Sequence, residues 1–356
     1  MDRYVGVDAH SETCTLAVVG PSGRRLTSLV VETNGRVLVD AIRSIPGRLH
    51  LCMEEGTQSA WLHEILEPYV AELVVMVPRE SRGAKDDLRD AWARAEDLRI
   101  GAISTRVYKP PKHLTVLRTA ARAYRMATQD VVRVKNRLKA VFRSRGIPVD
   151  GNVYDPKARN ESLNKLTSGH RQLADWLGRD LDQLMSLRDE AEEWLLKEAK
   201  AHPIIRKLTT APGMGPIRTA LLVAIVATPH RFRTRRQFWS YCGLGIVTRS
   251  SSDWKRAVDG RWARADVQQT RGLSRKRQPV LKAVFKAAAL TVTQMPEHPL
   301  GKDYDRMLQA GIKPNLAKLT LARRIAATVL SMWKHEEVYD PDRQKGTTTE
   351  SSTASR

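Results

Sequence analysis

The sequence predicts an α/β N-terminal domain with a mixed central sheet, followed by a helical coiled-coil arm and a mostly α C-terminal domain. Three patterns predict this order. Short apolar segments first form a meander and then alternate with helical segments, which is typical of a mixed sheet. A heptad pattern of apolar residues follows, and apolar helical segments fill most of the remainder. We therefore assign 1–110 to the first domain, 111–203 to the arm, 204–338 to the last domain and 339–356 to a disordered, Ser/Thr-rich tail.

The elements of the first domain follow from apolar spacing and from turn residues. Alternation predicts strands, and apolar residues spaced three and four apart predict helices. Pro and Gly mark several of the ends, as at Pro46-Gly47 and Pro78. In chain order we predict a β-hairpin over Tyr4–Val19, a strand over Arg25–Glu32, a helix over Gly35–Ile45, a strand over Leu49–Met53, a helix over Ala60–Tyr69, a strand over Glu72–Val77 and a helix opened by Lys85–Ala91.

The charge balance of the chain indicates a polyanionic partner. Lys and Arg number 60 against 39 Asp and Glu, which gives a formal net charge of +21. Nucleic acid is the first expectation, and an anionic membrane surface is the rival. No apolar run reaches the roughly 18–20 residues that span a bilayer, and the N-terminus lacks the pattern of a signal peptide. We therefore expect a cytoplasmic protein without membrane contact.

Cysteine and histidine spacing gives no indication of zinc. Cys14, Cys52 and Cys242 are far apart and include no CxxC pair. This usage suits a reducing compartment and argues against a structural zinc site. The nine histidines are scattered and contain no HxxxH pair.

Acidic residues recur where predicted strands end or a helix begins. Asp8 ends the first strand, and a carboxylate planted in a sheet is costly unless a cation pairs with it. Glu54 ends the fourth strand. Asp87 and Asp90 are three residues apart and share one helical face. Four such carboxylates predict a site for two divalent ions that acts on a phosphodiester. The alternative is that Asp8 is a turn residue and that the helical acids are caps and a solvated first turn.

These acids carry a family resemblance. The segments Val5-Gly6-Val7-Asp8, Met53-Glu54 and Lys85-x-Asp87-x-x-Asp90-Ala91 resemble the DEDD signature of bacterial insertion-sequence transposases of the one-ten family. The resemblance implies an RNase H-like (RuvC-like) fold and Mg²⁺ or Mn²⁺ held by Asp8, Glu54, Asp87 and Asp90. Glu55 is an alternative to Glu54, because side chains alternate along a strand. Asp86 stands where a small polar residue is usual, so a neighbouring register stays open.

A basic helical arm is predicted after the first domain. Two interleaved apolar series, each spaced by seven residues, form the first seam: Leu117, Tyr124, Val131 and Leu138 with Ala120, Ala127, Val134 and Val141. A looser second seam predicts the antiparallel partner and consists of Leu177, Leu184 and Ala191 with Leu181 and Leu195. The outward faces of the first helix carry Arg122, Arg125, Arg133, Lys135, Arg137, Lys139, Arg143 and Arg145, which indicates contact with nucleic-acid phosphates. The alternative is a plain helical hairpin with a solvated charged face. The seam could pair within one chain or between chains.

The C-terminal domain begins with a glycine-containing turn before an apolar helix. The segment Pro212-Gly213-Met214-Gly215-Pro216 resembles the hairpin of helix-hairpin-helix modules. Small residues there let backbone amides approach a phosphate at a helix N-terminus. A tight turn between two packed helices is the alternative reading of the same residues. Leu281–Val292 and Leu316–Trp333 are predicted core helices.

A serine cluster follows an aromatic-rich helix and Gly243-Leu244. This order matches the second domain of the same transposase family, and the resemblance implies that Ser251 is the nucleophile. Two departures, Ile246 for the usual proline and Ser252 for the usual glycine, keep Ser250 and Ser252 open as alternatives. A flexible polar loop is the plain alternative. Next to the cluster, Lys255 and Arg256 lie among Trp254 and Trp262, a pattern that suits backbone contact and base stacking.

The resemblance implies a DNA transposase or recombinase. Its serine would form a phosphoserine link to DNA, and a 3′-hydroxyl of another strand would displace it. Donor and target DNA, a structured noncoding guide RNA and a homodimer or homotetramer are the implied partners. Two alternatives remain: a metal-dependent junction nuclease that uses water, and a non-catalytic nucleic-acid-binding protein.

Overall fold

The protein is described by a computed structural model over residues 1–78, 86–149, 151–249, 254–256, 258–264, 269–273 and 277–341. The candidate nucleophiles Ser250, Ser251 and Ser252 lie outside these residues, as do Lys85 of the acidic motif and residues 342–356 of the predicted tail. The chain divides into two compact units, Met1–Lys112 and His113–Arg356.

The first unit is built on a mixed sheet of five strands in its described part. The strand order is β3-β2-β1-β4-β5, in which the first three strands are antiparallel and β1, β4 and β5 are parallel. This confirms the predicted mixed sheet with flanking helices, an arrangement consistent with an RNase H-like fold. The elements are β1 (Asp2–Ala9), β2 (Thr13–Val19), β3 (Arg25–Glu32), α1 (Gly35–Ser44), β4 (Arg48–Glu54), α2 (Ser59–Leu66), β5 (Glu72–Met76) and α3 (Asp87–Arg99).

Alternate residues of the strands pack on opposite faces of this sheet. Val5 and Met53 belong to the core shared with α1 and α2. Cys52 belongs to the opposite face, together with Leu98 of α3. Because side chains alternate along a strand, Asp8 and Glu54 follow the parity of Gly6 and Cys52 and lie on the α3 face.

Gly6 allows α3 to lie directly on β1. A Cβ atom at this position would come within 1.9 Å of the Ala91 carbonyl oxygen and 2.6 Å of the Ala95 backbone nitrogen. No side chain fits into such a gap, so only glycine permits this approach of helix to strand. The contact sets the height of α3 above the strand ends.

The second unit begins with two long helices that pack along each other in the same chain, α4 (Thr115–Arg143) and α6 (Ser168–Ala199). Of the predicted seam, Leu117, Val131 and Leu138 are buried, whereas Tyr124 is half-buried. The helices therefore form a hairpin within one chain. That the hairpin is a coiled coil stays a prediction.

The tip of this hairpin has its own core and an ion pair between a buried arginine and a half-buried aspartate. Arg159 of α5 (Arg159–Leu163) donates to both oxygens of Asp182, at 2.7 and 2.6 Å, and its Nε donates to the Val153 carbonyl at 3.1 Å. Gly178 makes room for it, since a Cβ there would lie 2.7 Å from the guanidinium.

We expect replacement of Arg159 by alanine to destabilise the second unit by about 3 kcal/mol, because it removes two charge-assisted hydrogen bonds to Asp182 and the packing of a buried side chain. Urea denaturation followed by circular dichroism measures the change. Arg179→Ala is the matched control, since Arg179 pairs with Asp175 at an exposed position and such pairs contribute little. Equal stability of the two variants would contradict the role given to Arg159.

The rest of the second unit is mostly helical, with a small β region. Helix α12 is buried along most of its length, and its core also takes in Leu117 and Leu195 from the hairpin. The antiparallel pairs are β6–β9 and β7–β8. The elements are α7 (Pro203–Leu208), α8 (Pro216–Val226), α9 (Arg235–Tyr241), β6 (Ile246–Arg249), β7 (Trp254–Arg256), β8 (Trp262–Arg264), β9 (Gln269–Leu273), α10 (Pro279–Val292), α11 (Pro299–Gln309) and α12 (Pro314–His335).

The sequence predicted a disordered tail over residues 339–356, and the structure describes the first residues of that range. Tyr339, placed in the disordered tail by the sequence, is described and half-buried, and its backbone N–H donates to Thr210 at 2.8 Å. Its ring also stacks on His298.

Within the described ranges, none of the helices has both the length and the apolar character needed to cross a bilayer.

Candidate metal centre

Two carboxylates meet at the C-terminal ends of neighbouring parallel strands. The register pairs Val7 of β1 with Met53 of β4, so Asp8 and Glu54 come next on adjacent strands. Both lie on the face covered by α3. Asp8 is 8% exposed, which makes it a charge that needs a cationic partner.

Helix α3 brings further acids to the same edge. Asp86 is its N-cap, and its side chain accepts from the backbone N–H groups of Leu88 and Arg89 at 3.1 and 3.2 Å. Asp86 thus caps the helix, which is a role that the alternative interpretation of the sequence gave to the acids of this helix. Asp90 and Asp97 line a cavity of about 760 Å³ together with Asp8 and Glu54.

Arg94 and His10 complete the cluster, and sequence reasoning missed both. The Arg94 Nη2 atom lies 3.3 Å from Asp8 Oδ1 and 3.2 Å from Glu54 Oε1. The His10 Nε2 atom lies 3.3 Å from Asp8 Oδ2 and 3.1 Å from Asp87 Oδ1. A signal existed for each: Arg94 is four residues after Asp90 on one helical face, and His10 follows Asp8 by two.

Glu54 and Glu55 have different surroundings. Glu54 shares Arg94 with Asp8. Glu55 forms an ion pair with Lys109 and accepts a hydrogen bond from the Ser59 hydroxyl at 3.0 Å, and Lys109 Nζ also donates to Ser59 Oγ at 2.7 Å. Of the two candidates, Glu54 is therefore the one that adjoins Asp8.

The residues at this edge fit a divalent cation. Asp8, His10 and Asp87 offer one ligand atom each within 4.8 Å of one another, and Glu54 and Asp90 add carboxylates to the same region. Carboxylate oxygens are the preferred ligands of both Mg²⁺ and Mn²⁺. Among the described residues at this edge the acids outnumber Arg94, so the centre has room for more positive charge.

Comparison with protein families decides which class of protein carries this centre. A family model for the IS116/IS110/IS902 transposases matches residues 205–305, and a DEDD-type IS110 transposase model matches residues 5–145. Together the matched ranges take in more than half of the chain. The chain belongs to this transposase family. No curated protein matches it.

The basic residues predicted to contact nucleic acid in this IS110-type transposase lie on α4. Arg122, Arg133 and Arg137 are exposed, and Arg125, Lys135 and Lys139 are half-buried. Arg133 forms an ion pair with Asp130, and Lys135 lies over the Tyr154 ring at 5.2 Å. Arg137 is exposed and, within the described part of the chain, has no ion-pair partner.

The two glycines of the transposase's predicted helix-hairpin-helix motif differ. Gly213 has φ +69°, and a Cβ there would lie 2.4 Å from the Ala288 carbonyl oxygen of α10. Close packing of the turn on α10 therefore explains Gly213. Gly215 is the N-cap of α8 and faces open space, so contact with phosphate stays a prediction for this position.

A short hairpin follows the serine segment of the transposase. Residues Ser250–Ser252 fall between β6 and β7, and β7 contains Lys255 and Arg256. The register opposes Arg256 to Trp262, and Trp254 is two residues from Arg256, so these three share one face. All three are exposed, and their contact with nucleic acid stays a prediction.

Proposed function

We propose that this transposase cuts and rejoins DNA through a serine nucleophile, with Ser251 as the residue, and that Asp8, Glu54, Asp87 and Asp90 hold Mg²⁺ or Mn²⁺. The observation that carries the proposal is the convergence of Asp8 and Glu54, from adjacent strand ends, with the acids of α3 at one cavity. The family match over both parts of the chain supports it.

The proposed chemistry is two phosphoryl transfers. In the first, Ser251 Oγ forms a bond to a DNA phosphorus and the bond to the 3′ oxygen breaks. The serine proton passes through a carboxylate of the site to that leaving oxygen. In the second, a 3′-hydroxyl of another strand attacks the phosphoserine, the bond to Oγ breaks and the serine regains a proton.

Each group of residues has a stated part in this scheme. A bound divalent cation supplies stabilisation of the charge that develops on the phosphate oxygens. Asp8 and Glu54 fix the site to the rigid sheet, and Asp87 and Asp90 close it from α3. The surplus of 60 basic over 39 acidic residues supports binding of DNA and of a structured noncoding guide RNA encoded by the same element. Because strand exchange joins two duplexes, we propose a homodimer or homotetramer.

The test is covalent capture of DNA. We expect the wild-type protein, given Mg²⁺, guide RNA and end-labelled DNA, to leave a protein–DNA adduct on a denaturing gel. Ser251→Ala removes the attacking oxygen and should lower adduct formation by about 10³-fold or more. Ser250→Ala and Ser252→Ala are the matched controls and should still form it.

Three other outcomes are informative. An adduct that persists in Ser251→Ala but disappears in one of the controls would move the nucleophile to that serine. Nicked DNA without any adduct would favour the junction nuclease that uses water. Binding of DNA without cutting in the presence of Mg²⁺ and of Mn²⁺ would favour a non-catalytic binding protein.

A further inference from the structure

Arg94 is buried among the acids of the centre and has an unusual set of contacts. It is 7% exposed. Its Nη2 atom lies 3.3 Å from Asp8 Oδ1 and 3.2 Å from Glu54 Oε1. These distances exceed the roughly 2.7–2.9 Å of a charge-assisted hydrogen bond. The Nε and Nη1 atoms are buried and have no hydrogen-bond partner among the described residues.

Arg159 in the same chain shows what a fully bound arginine looks like. It is also buried, yet Nη1 and Nη2 bind both oxygens of Asp182 and Nε binds a backbone carbonyl. By contrast, two of the three guanidinium nitrogens of Arg94 have no hydrogen-bond partner among the described residues. A buried guanidinium held in this way loses hydration without regaining its hydrogen bonds, so its contacts are weak for their position.

The repulsion between Asp8 and Glu54 explains why the buried guanidinium of Arg94 lies near both of them. Asp8 and Glu54 end adjacent strands on one face, and two neighbouring carboxylates repel each other when both are charged. A cation between them removes that repulsion. Since Arg94 rises from α3, which rests on Gly6, the fold itself supplies this cation.

We propose that Arg94 is the counter-ion of Asp8 and Glu54 when no divalent ion is bound, and that it competes with the ion for these carboxylates. The inference rests on the proposed ion site. A divalent ion and a guanidinium that approach the same oxygens repel each other, so each weakens the binding of the other. Arg94 is thus a positioning residue that sets the ion affinity of the centre.

The test measures Mn²⁺ affinity by titration calorimetry, without DNA. Arg94→Met keeps most of the side-chain length and removes the charge. We expect Mn²⁺ to bind Arg94→Met about tenfold more tightly than wild type. In EDTA the melting temperature should fall, and added Mn²⁺ should raise it more than in wild type. Arg99→Met is the matched control, because Arg99 is on the same helix but pairs with Glu96 and Pro21, and its Mn²⁺ affinity should be that of wild type.

Unchanged or weaker Mn²⁺ binding by Arg94→Met would overturn the inference. If that variant does not fold, Arg94→Gln replaces it: glutamine removes the charge and keeps a group that can donate hydrogen bonds to the acids, and Mn²⁺ should again bind more tightly than in wild type. Binding no tighter than wild type would overturn the inference in this case too. If neither wild type nor the variants bind Mn²⁺ whereas DNA is still cut, the ion site itself is wrong, and the inference falls with it.

Discussion

Replacement of Asp8 by asparagine should lower Mg²⁺-dependent DNA cutting by about 10³-fold, because one ligand of a metal that stabilises a phosphoryl-transfer transition state contributes several kcal/mol. Asparagine keeps the shape of the side chain but not its charge. The variant should also bind Mn²⁺ more weakly than wild type in a calorimetric titration. Cutting of end-labelled DNA and ion binding are measured on the same preparation.

The control for Asp8→Asn is Asp86→Asn. Asp86 belongs to the acidic run of α3 but caps the helix, and asparagine is an equally good N-cap. We expect this variant to cut DNA and to bind Mn²⁺ like wild type. Loss of activity in Asp86→Asn with retention in Asp87→Asn would show that the neighbouring register is the correct one. Wild-type cutting by Asp8→Asn would contradict the proposed centre.

Replacement of Gly6 by alanine should destabilise the first unit by at least about 3 kcal/mol, since overpacking of a well-packed contact has costs of this order. The added methyl would lie 1.9 Å from the Ala91 carbonyl oxygen, so α3 must move away from β1. Any folded fraction should have lost DNA cutting, because α3 carries Asp87, Asp90 and Arg94. Thermal melting and amide hydrogen exchange of α3 measure the two effects.

Gly20→Ala is the control for Gly6→Ala. A Cβ at Gly20 meets its nearest neighbour at 3.6 Å, an ordinary contact, so this variant should melt close to wild type. Normal stability of Gly6→Ala, with α3 amides still protected, would contradict the close packing of α3 on β1.

The sequence predicted the strands and helices in which apolar residues recur at a regular interval. Alternating apolar residues predicted β1 to β5, and spacing of three and four predicted α1 to α3, with ends within a few residues of those observed. The short strands β6 to β9 were not predicted, because their polar segments alternate too briefly to be distinguished from a loop. The heptad seam predicted two long helices, but spacing has no information on whether the partner is in the same chain.

The centre was predictable to the extent that it is local. Asp8, Glu54, Asp87 and Asp90 were predicted from their places at strand ends and on one helical turn, and their role as metal ligands stays a prediction. Glu54 is two residues after Cys52 and therefore lies on the same face of the strand. This alternation could also have favoured Glu54 over Glu55. The spacing of Arg94 from Asp90 was too weak a signal to assign it, because arginine on a helix is usually exposed. Arg94 is buried here, on the helix that approaches Gly6 closely.

The Lys109 contact has a mechanical consequence. Lys109 lies near the end of the first unit, where it forms an ion pair with Glu55 and donates a hydrogen bond to Ser59. Glu55 directly follows Glu54 in the chain. A displacement of Lys109 would therefore act on Glu55 and, through the backbone, on Glu54 at the end of β4. The position of Glu54 is thus linked to the segment that leaves the first unit.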